Sequence, residues 1–315
     1  MLTTIATALV PVFFVMGLGY FAGWKKIVDN QHVNSLNALL MTFALPFSLF
    51  IALAQTPANR LSSGFSLGLV LILSMLIIYA ITILLNRRLF RKSMGEAAVQ
   101  SLNVAFPNLA GVGLPLLGTL FGREGSMSVS VALAAGAVFL GPLTLIILEG
   151  QTASAASIPP LRRIVMAVLR SIGKPVVIGP VAGIAFSLAG HPLPVLAVQS
   201  LNLLGQATAG LALFVTGLVL SSKALNLNAN IVLAVLLKNI VHPLMVFGLA
   251  ILFGLKAPEM REAILLAAIP SGFFGVLFGL SYGVESQDAD STLTISSLAS
   301  ILTLGVAIFL TAGMQ

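Results

Sequence analysis

Two short stretches carry residue types suited to holding an anion without any acid, base or nucleophile. The first contains Asn103, Pro107, Asn108, Gly111, Gly113 and Pro115; the second contains Pro270, Ser271, Gly272 and Gly275. Both lie within long apolar surroundings, where proline interrupts a helix and leaves backbone groups to be satisfied by protein or a watery cavity. Half-helix N-termini exposed at such breaks attract negative charge. Asn103, Asn108, Ser271 and nearby amides would then donate to carboxylate oxygens, with Pro107, Gly111, Pro270 and Gly272 shaping the backbone. The plainer reading is that Pro107 and Pro270 only kink their helices.

A second pair of residues could carry charge or protons. Lys238 lies about eight residues into an apolar stretch and His242 follows one turn later on the same face. A cation inside the membrane is costly and marks a functional position by default. Lys238 would pair with an anionic substrate or stand in for a coupled cation; alternatively it snorkels to the surface. His242 is a candidate proton relay, or simply bonds a neighbouring helix. Asn37 and Asn202 recur in both halves of the chain and would line the opposite wall of the site. Thr216 and Asn239 read as ordinary interhelical hydrogen bonds.

The elements that must position these residues are membrane helices. Of 315 residues, 58% are hydrophobic and 8% charged, with a mean hydropathy of +1.08. Soluble domains carry about 25% charged residues, so a water-soluble globule is excluded. Runs 1–24, 30–59, 61–86, 97–122, 125–148, 263–284 and 291–315 hold no charge. Each reaches the ~20 residues needed to cross a bilayer. The run 175–222 is divided by Gly190, His191, Pro192 and Pro194, and 230–254 supplies one more span. Ten spans are expected, near 3–23, 33–54, 65–86, 96–121, 127–149, 175–190, 196–220, 230–254, 260–282 and 291–312.

Charge sets the orientation. No basic residue precedes the first span and Lys25 and Lys26 follow it, unlike a cleavable signal peptide. With the N-terminus outside, the cytoplasmic loops hold eleven basic residues: Lys25, Lys26, Arg87, Arg88, Arg91, Lys92, Arg162, Arg163, Arg170, Lys174 and Lys223. The outer loops hold four: Arg60, Arg123, Lys256 and Arg261. This positive-inside bias puts both termini on the outer side. The basic balance thus reports topology rather than nucleic-acid binding. There is no cysteine, only three histidines, and no carboxylate well inside a span, so neither a metal nor a cofactor is expected.

The connection 150–174, read as a cytoplasmic linker, separates five spans (1–149) from five (175–315). An odd number in each half inverts the second. Pro11 with Pro175, Asn37 with Asn202, Glu96 with Glu262 and Pro107 with Pro270 recur at offsets of 164, 165, 166 and 163. Inverted repeats with matched broken helices point to a secondary transporter. Gly19 and Gly23 have the spacing of a close helix contact.

The chain resembles the auxin efflux carrier family, and its bacterial malonate-transporter-like members in particular. The resemblance rests on Pro11, Gly17, Gly19 and Tyr20, Asn37 leading to Pro46, Glu96 leading to Asn103 and Pro107, Lys238 before His242 and Pro243, and Pro270. It implies an all-α polytopic membrane protein of ten helices in two inverted five-helix repeats, with crossed discontinuous helices four and nine as in sodium/proton antiporters and bile-acid symporters. It also implies elevator-like alternating access, often a homodimer, and a small organic anion such as malonate as substrate; a bacterial inner membrane with its lipids is the expected location, and proton and sodium both stand as coupling ions. The central loop is short, which argues against auxin itself. Alternatives are a sodium-coupled bile-acid-type symporter, a non-transporting receptor, or an intramembrane enzyme; the last lacks any acid–base or nucleophile constellation in the spans.

Overall fold

Proline decides where these helices lose their regularity. A proline inside a helix has no N–H to donate and its ring crowds the carbonyl four residues earlier. Pro46, Pro115, Pro142 and Pro243 are each preceded by one residue and then by a five-residue π turn: Leu40–Ala44, Leu109–Gly113, Gly136–Leu140 and Leu237–Val241. In each case the crowded carbonyl falls within the π turn, where the wider winding makes room for the ring without ending the helix.

The computed structural model describes residues 2–29, 33–55, 65–150, 173–190, 192–222 and 225–314, with Pro57, Pro159 and a few positions between 161 and 169. Arg60, Arg163, Arg170, His191, Lys223 and most of the 150–174 linker lie outside the described residues. Fifteen α-helical segments follow in order among the described residues: α1 Leu2–Trp24, α2 Val33–Leu39, α3 Leu45–Ala54, α4 Phe65–Arg88, α5 Met94–Ala105, α6 Leu114–Ala135, α7 Gly141–Glu149, α8 Pro175–Leu188, α9 Val195–Gly205, α10 Ala207–Ser221, α11 Ala229–Leu236, α12 His242–Leu252, α13 Ala257–Ala268, α14 Phe274–Ser281 and α15 Gln287–Thr311. None of the described residues belongs to a β-strand.

Six continuous helical stretches are long and apolar enough to cross a membrane: Ser35–Ala54, Phe65–Arg88, Leu109–Glu149, Val195–Ser221, Ala229–Leu252 and Gln287–Thr311. Leu9–Trp24 and Val177–Leu188 are shorter apolar helices. The chain is therefore a multi-pass α-helical membrane protein. Leu109–Glu149 is not one rod, because Gly122 adopts φ 61°, ψ −130°, a conformation that favours glycine. A Cβ on Gly125 would strike the Leu117 carbonyl. Those residues would be about 12 Å apart along a straight helix at 1.5 Å per residue, so the chain turns back at Gly122.

The most buried part of the molecule is the inner ends of α5 and α13 together with the breaks that follow them. Every residue of 97–113 and of 262–273 is buried. The regular helices pack around them, with α1 lying against α10 and α8 against α3. These two helix pairs touch in a matched way: a Cβ on Gly19 would collide with the Phe214 carbonyl, and one on Gly183 would lie 2.7 Å from the Phe50 carbonyl. Gly19 and Gly183 are 164 residues apart, as are Phe50 and Phe214.

Gly19→Ala should therefore lower the thermal unfolding midpoint of the detergent-purified protein, as expected for overpacking at about 1–3 kcal/mol. Gly17→Ala, two residues away with nothing within 4 Å of the added carbon, should leave it unchanged. Equal midpoints for the two variants would show that the α1–α10 contact yields freely.

Candidate functional site

A residue before proline is pushed out of the α region by contact with the ring. Phe106, before Pro107, has φ −107°, ψ 98°, and Ile269, before Pro270, has φ −56°, ψ 141°. α5 and α13 therefore both unwind, with their last carbonyls facing surroundings that contain no bulk water. The two breaks satisfy each other. Pro107 and Ser271 form an antiparallel bridge. The Asn108 N–H donates to Pro270 O at 2.9 Å, and the Gly272 N–H is shared between Phe106 O and Asn103 O at 3.0 and 3.1 Å. A side chain on Gly272 would collide with the Phe106 carbonyl, so only glycine allows this approach. The Phe106 and Phe274 rings stack at 4.8 Å beside it.

Both asparagines serve the helix starts that meet here. Asn103 Oδ1 accepts from the Val276 N–H at 3.3 Å in the first turn of α14, while its Nδ2 donates to Ala289 O at 3.2 Å. Asn108 Oδ1 accepts from the Gly111 N–H at 3.0 Å, and its Nδ2 donates to Thr216 Oγ1 on α10 at 3.2 Å. Side-chain oxygens thus cap N-termini that would otherwise hold unpaired donors. The Ser271 N–H donates to Ser296 Oγ at 3.0 Å, and the Ser296 hydroxyl donates to Asn239 Oδ1 at 2.6 Å. The Ser271 hydroxyl is itself fully buried and has no partner among the described residues. An unmet buried group costs about 1–3 kcal/mol, which a ligand oxygen could recover.

Lys238 does not snorkel: it is 0% exposed. Its ammonium donates to Ala267 O at 2.6 Å, near the C-terminal end of α13, where the helix dipole favours a cation. It also lies 3.2 Å from His242 Nδ1, and His242 Nε2 lies 3.4 Å from Ser74 Oγ, whose hydroxyl donates to Leu71 O at 2.9 Å. With Lys238 as donor, Nδ1 must accept and Nε2 must carry the proton, so the bonds run in one direction from Lys238 to Leu71 O.

The crossing brings together Asn103, Pro107, Asn108, Gly111, Pro270, Ser271 and Gly272, with Lys238 attached through α13. It does not include Asn37 or Asn202. Asn37 is half-buried on α2 with its Oδ1 unpartnered among the described residues, and Asn202 is half-buried on α9. Thr216 and Asn239 make the interhelical hydrogen bonds expected of them, and those bonds reach the crossing, directly from Thr216 to Asn108 and through Ser296 from Asn239. Two carboxylates that the sequence places at or beyond span ends are buried. Glu262 accepts from the Ser128 hydroxyl. Asp288 was expected just outside a span beginning at 291, but Ser286 caps the Ala289 N–H and starts α15 at Gln287. A serine followed by an acidic first turn was the available signal.

Residues 4–308 match the family described as membrane transport protein. The chain is 24% identical over 310 residues to "Uncharacterized transporter YfdV" of Escherichia coli (strain K12), covering 98% of each chain. It is 24% identical over 308 residues to a "Putative malonate transporter" of Rhizobium meliloti, covering 95% of this chain and 93% of that one. To "Uncharacterized transporter MJ1031" of Methanocaldococcus jannaschii it is 23% identical over 306 residues, with 94% and 95% covered. These relatives are named as transporters, not enzymes.

Gly272→Ala should destabilise the protein by about 1–3 kcal/mol by forcing the breaks apart. Ser271→Ala, which removes a buried hydroxyl with no partner among the described residues, should leave stability unchanged or raise it, by up to the about 1–3 kcal/mol that the unmet group costs. Denaturation midpoints of the two variants in detergent check both; a strongly destabilised Ser271→Ala would mean that its hydroxyl already has a partner.

Proposed function

Because this chain belongs to the membrane transport protein family, that of the auxin efflux carriers, we propose that it is a secondary carrier of a small organic anion, malonate or a related carboxylate. The observation that carries this reading is the crossing: two half-helix N-termini meet there beside the open hydroxyl of Ser271. The anion's oxygens would take the Ser271 hydroxyl and exchange with Ala289 O and Thr216 Oγ1 for the donors of Asn103 and Asn108. The dipoles of the π turn Leu109–Gly113 and of α14 would favour its negative charge. Lys238, held at the opposite dipole end of α13, would add positive charge at short range, and His242 would pass or hold a proton. Asn37 and Asn202 would line the facing wall. The name of the Rhizobium relative favours a malonate-like substrate.

The same reading takes residues 1–149 and 175–315 as inverted repeats around a linker at 150–174, with crossed broken helices four and nine. It is supported by the paired Gly19–Phe214 and Gly183–Phe50 contacts. α5 and α13 also start and end 163 residues apart, as do Pro107 and Pro270. That register sets Glu96 against Glu259, not Glu262, and both of those acids stand in a first turn. Elevator-like movement, a homodimer, and an inner-membrane location with both termini outside complete the proposal; the last rests on the bias of loop charge.

Uptake of labelled malonate into proteoliposomes of the pure protein, with and without an imposed pH gradient, tests it. Gradient-stimulated uptake is expected, and Lys238→Ala should abolish it at similar protein levels while Ser271→Ala reduces it at least tenfold, as for loss of about 1.4 kcal/mol of binding. Saturable uptake indifferent to the gradient would keep the carrier and remove proton coupling. No uptake by folded protein would retire malonate, and unchanged uptake by Lys238→Ala would remove Lys238 from the mechanism.

A further inference from the structure

Away from the crossing, a second buried polar cluster joins four helices. Asn86 lies in the last turn of α4, Gln100 on α5, Asn230 in the first turn of α11 and Asp288 in the first turn of α15; their exposures are 1%, 1%, 5% and 7%. Asn86 Oδ1, Asp288 Oδ2 and Gln100 Oε1 stand 2.9, 2.9 and 3.2 Å from a single atom, Asn230 Nδ2. An amide nitrogen carries two hydrogens, so three acceptors compete for two donors. Their inward direction is fixed from behind. Asn86 Nδ2 donates to Thr82 O at 3.0 Å. Gln100 Nε2 donates to Thr292 Oγ1 at 3.0 Å, whose hydroxyl is committed to Asp288 O at 2.7 Å. Asp288 Oδ1 is engaged separately by Asn228 Nδ2 at 2.8 Å.

We propose that this convergence of oxygens is a binding site for a monovalent alkali cation, filled when the Asn230 amide turns its own oxygen inward. Asn86 Oδ1, Gln100 Oε1, Asp288 Oδ2 and Asn230 Oδ1 then supply four oxygens with one formal negative charge. Hard oxygen donors suit cations of this kind, and a single carboxylate balances one positive charge. With the amide nitrogen inward, the cluster holds together without the ion and Lys92 supplies the charge, its Nζ 2.6 Å from Asp288 Oδ2. The Lys92 side chain is 31% exposed and can withdraw into water, whereas that of Asp288 is 9% exposed and cannot. Lys92 and the ion therefore compete for one carboxylate. Gln100 lies one turn before Asn103, and α11 leads directly into the π turn that carries Lys238, so occupancy fixes the far ends of two elements that reach the crossing. The site does not depend on which anion is carried.

Thermal unfolding of the full-length protein in detergent, at equal ionic strength in choline, sodium or potassium chloride, tests the proposal without a transport assay. Sodium or potassium should raise the midpoint in a saturable way relative to choline, and the one that does so at lower concentration identifies the ion. Lys92→Gln, on the exposed loop, should respond at a several-fold lower concentration. Gln100→Leu should lose the response. Equal midpoints in all three salts for both the wild type and Lys92→Gln would overturn the site, as would a response that survives in Gln100→Leu. Should Gln100→Leu not fold, Asn86→Leu is to be read by the same criterion.

Discussion

A peptide group in the interior of a membrane protein has no water to fall back on, and that constraint organises this molecule around two prolines. Pro107 and Pro270 each deny a helix its next turn, which sets carbonyls and amides loose at the most buried point of the fold. The structure meets the demand by letting one break bond the other, through Asn108 to Pro270 and Gly272 to Phe106 and Asn103. Asparagine side chains complete the caps. Everything nearby follows from this solution: glycine at 272 because the backbones touch, stacked phenylalanines beside the bridge, and Lys238 on the carbonyl end of α13. The neutral groups left over, chiefly the Ser271 hydroxyl and the two helix starts, are what the proposed anion would draw on.

Much of this frame can be read from residue types, since helix limits in an apolar chain are dictated by charge and proline. The segments that start or close most of the expected stretches do so within about four residues of them, the usual uncertainty of boundaries, whereas α5 and α13 stop at their breaks and α6 runs through the expected turn between 121 and 127. The breaks before Pro107 and Pro270 follow from backbone sterics alone. The direct pairing of the two breaks does not follow, because it depends on tertiary approach between segments 163 residues apart. Nor does the embedding of Lys238: its depth in the sequence suits snorkelling as well as burial, and only the position of Ala267 O decides between them.

Other features were hidden for specific physical reasons. In the proposed repeat, α5 and α13 start 163 residues apart, which would align Glu96 with Glu259 rather than Glu262, and Glu262 is drawn inside to Ser128. Asp288 reads as a loop residue because its charge would end the span, yet a serine cap extends the helix past it, and two neighbouring side-chain amides and a lysine make its burial tolerable. Thr216 and Asn239 have ordinary polar identities, and no pattern along the chain marks them as neighbours of the crossing. The four π turns could have been anticipated: each is tied to a proline that does not end its helix.

The mutual pairing of the breaks also has a consequence for how the chain is made. Pro107 leaves the ribosome 163 residues before Pro270. At 5–20 residues per second that gap is on the order of ten to thirty seconds. Throughout it, the backbone at 106–108 lacks the partner that satisfies it in the finished protein. The first half cannot reach its final form during its own synthesis, and it must wait with its break wetted or sheltered by the insertion machinery. Assembly is thus a late event in which the two halves complete each other, and the transporter acquires its interior only when the second proline arrives.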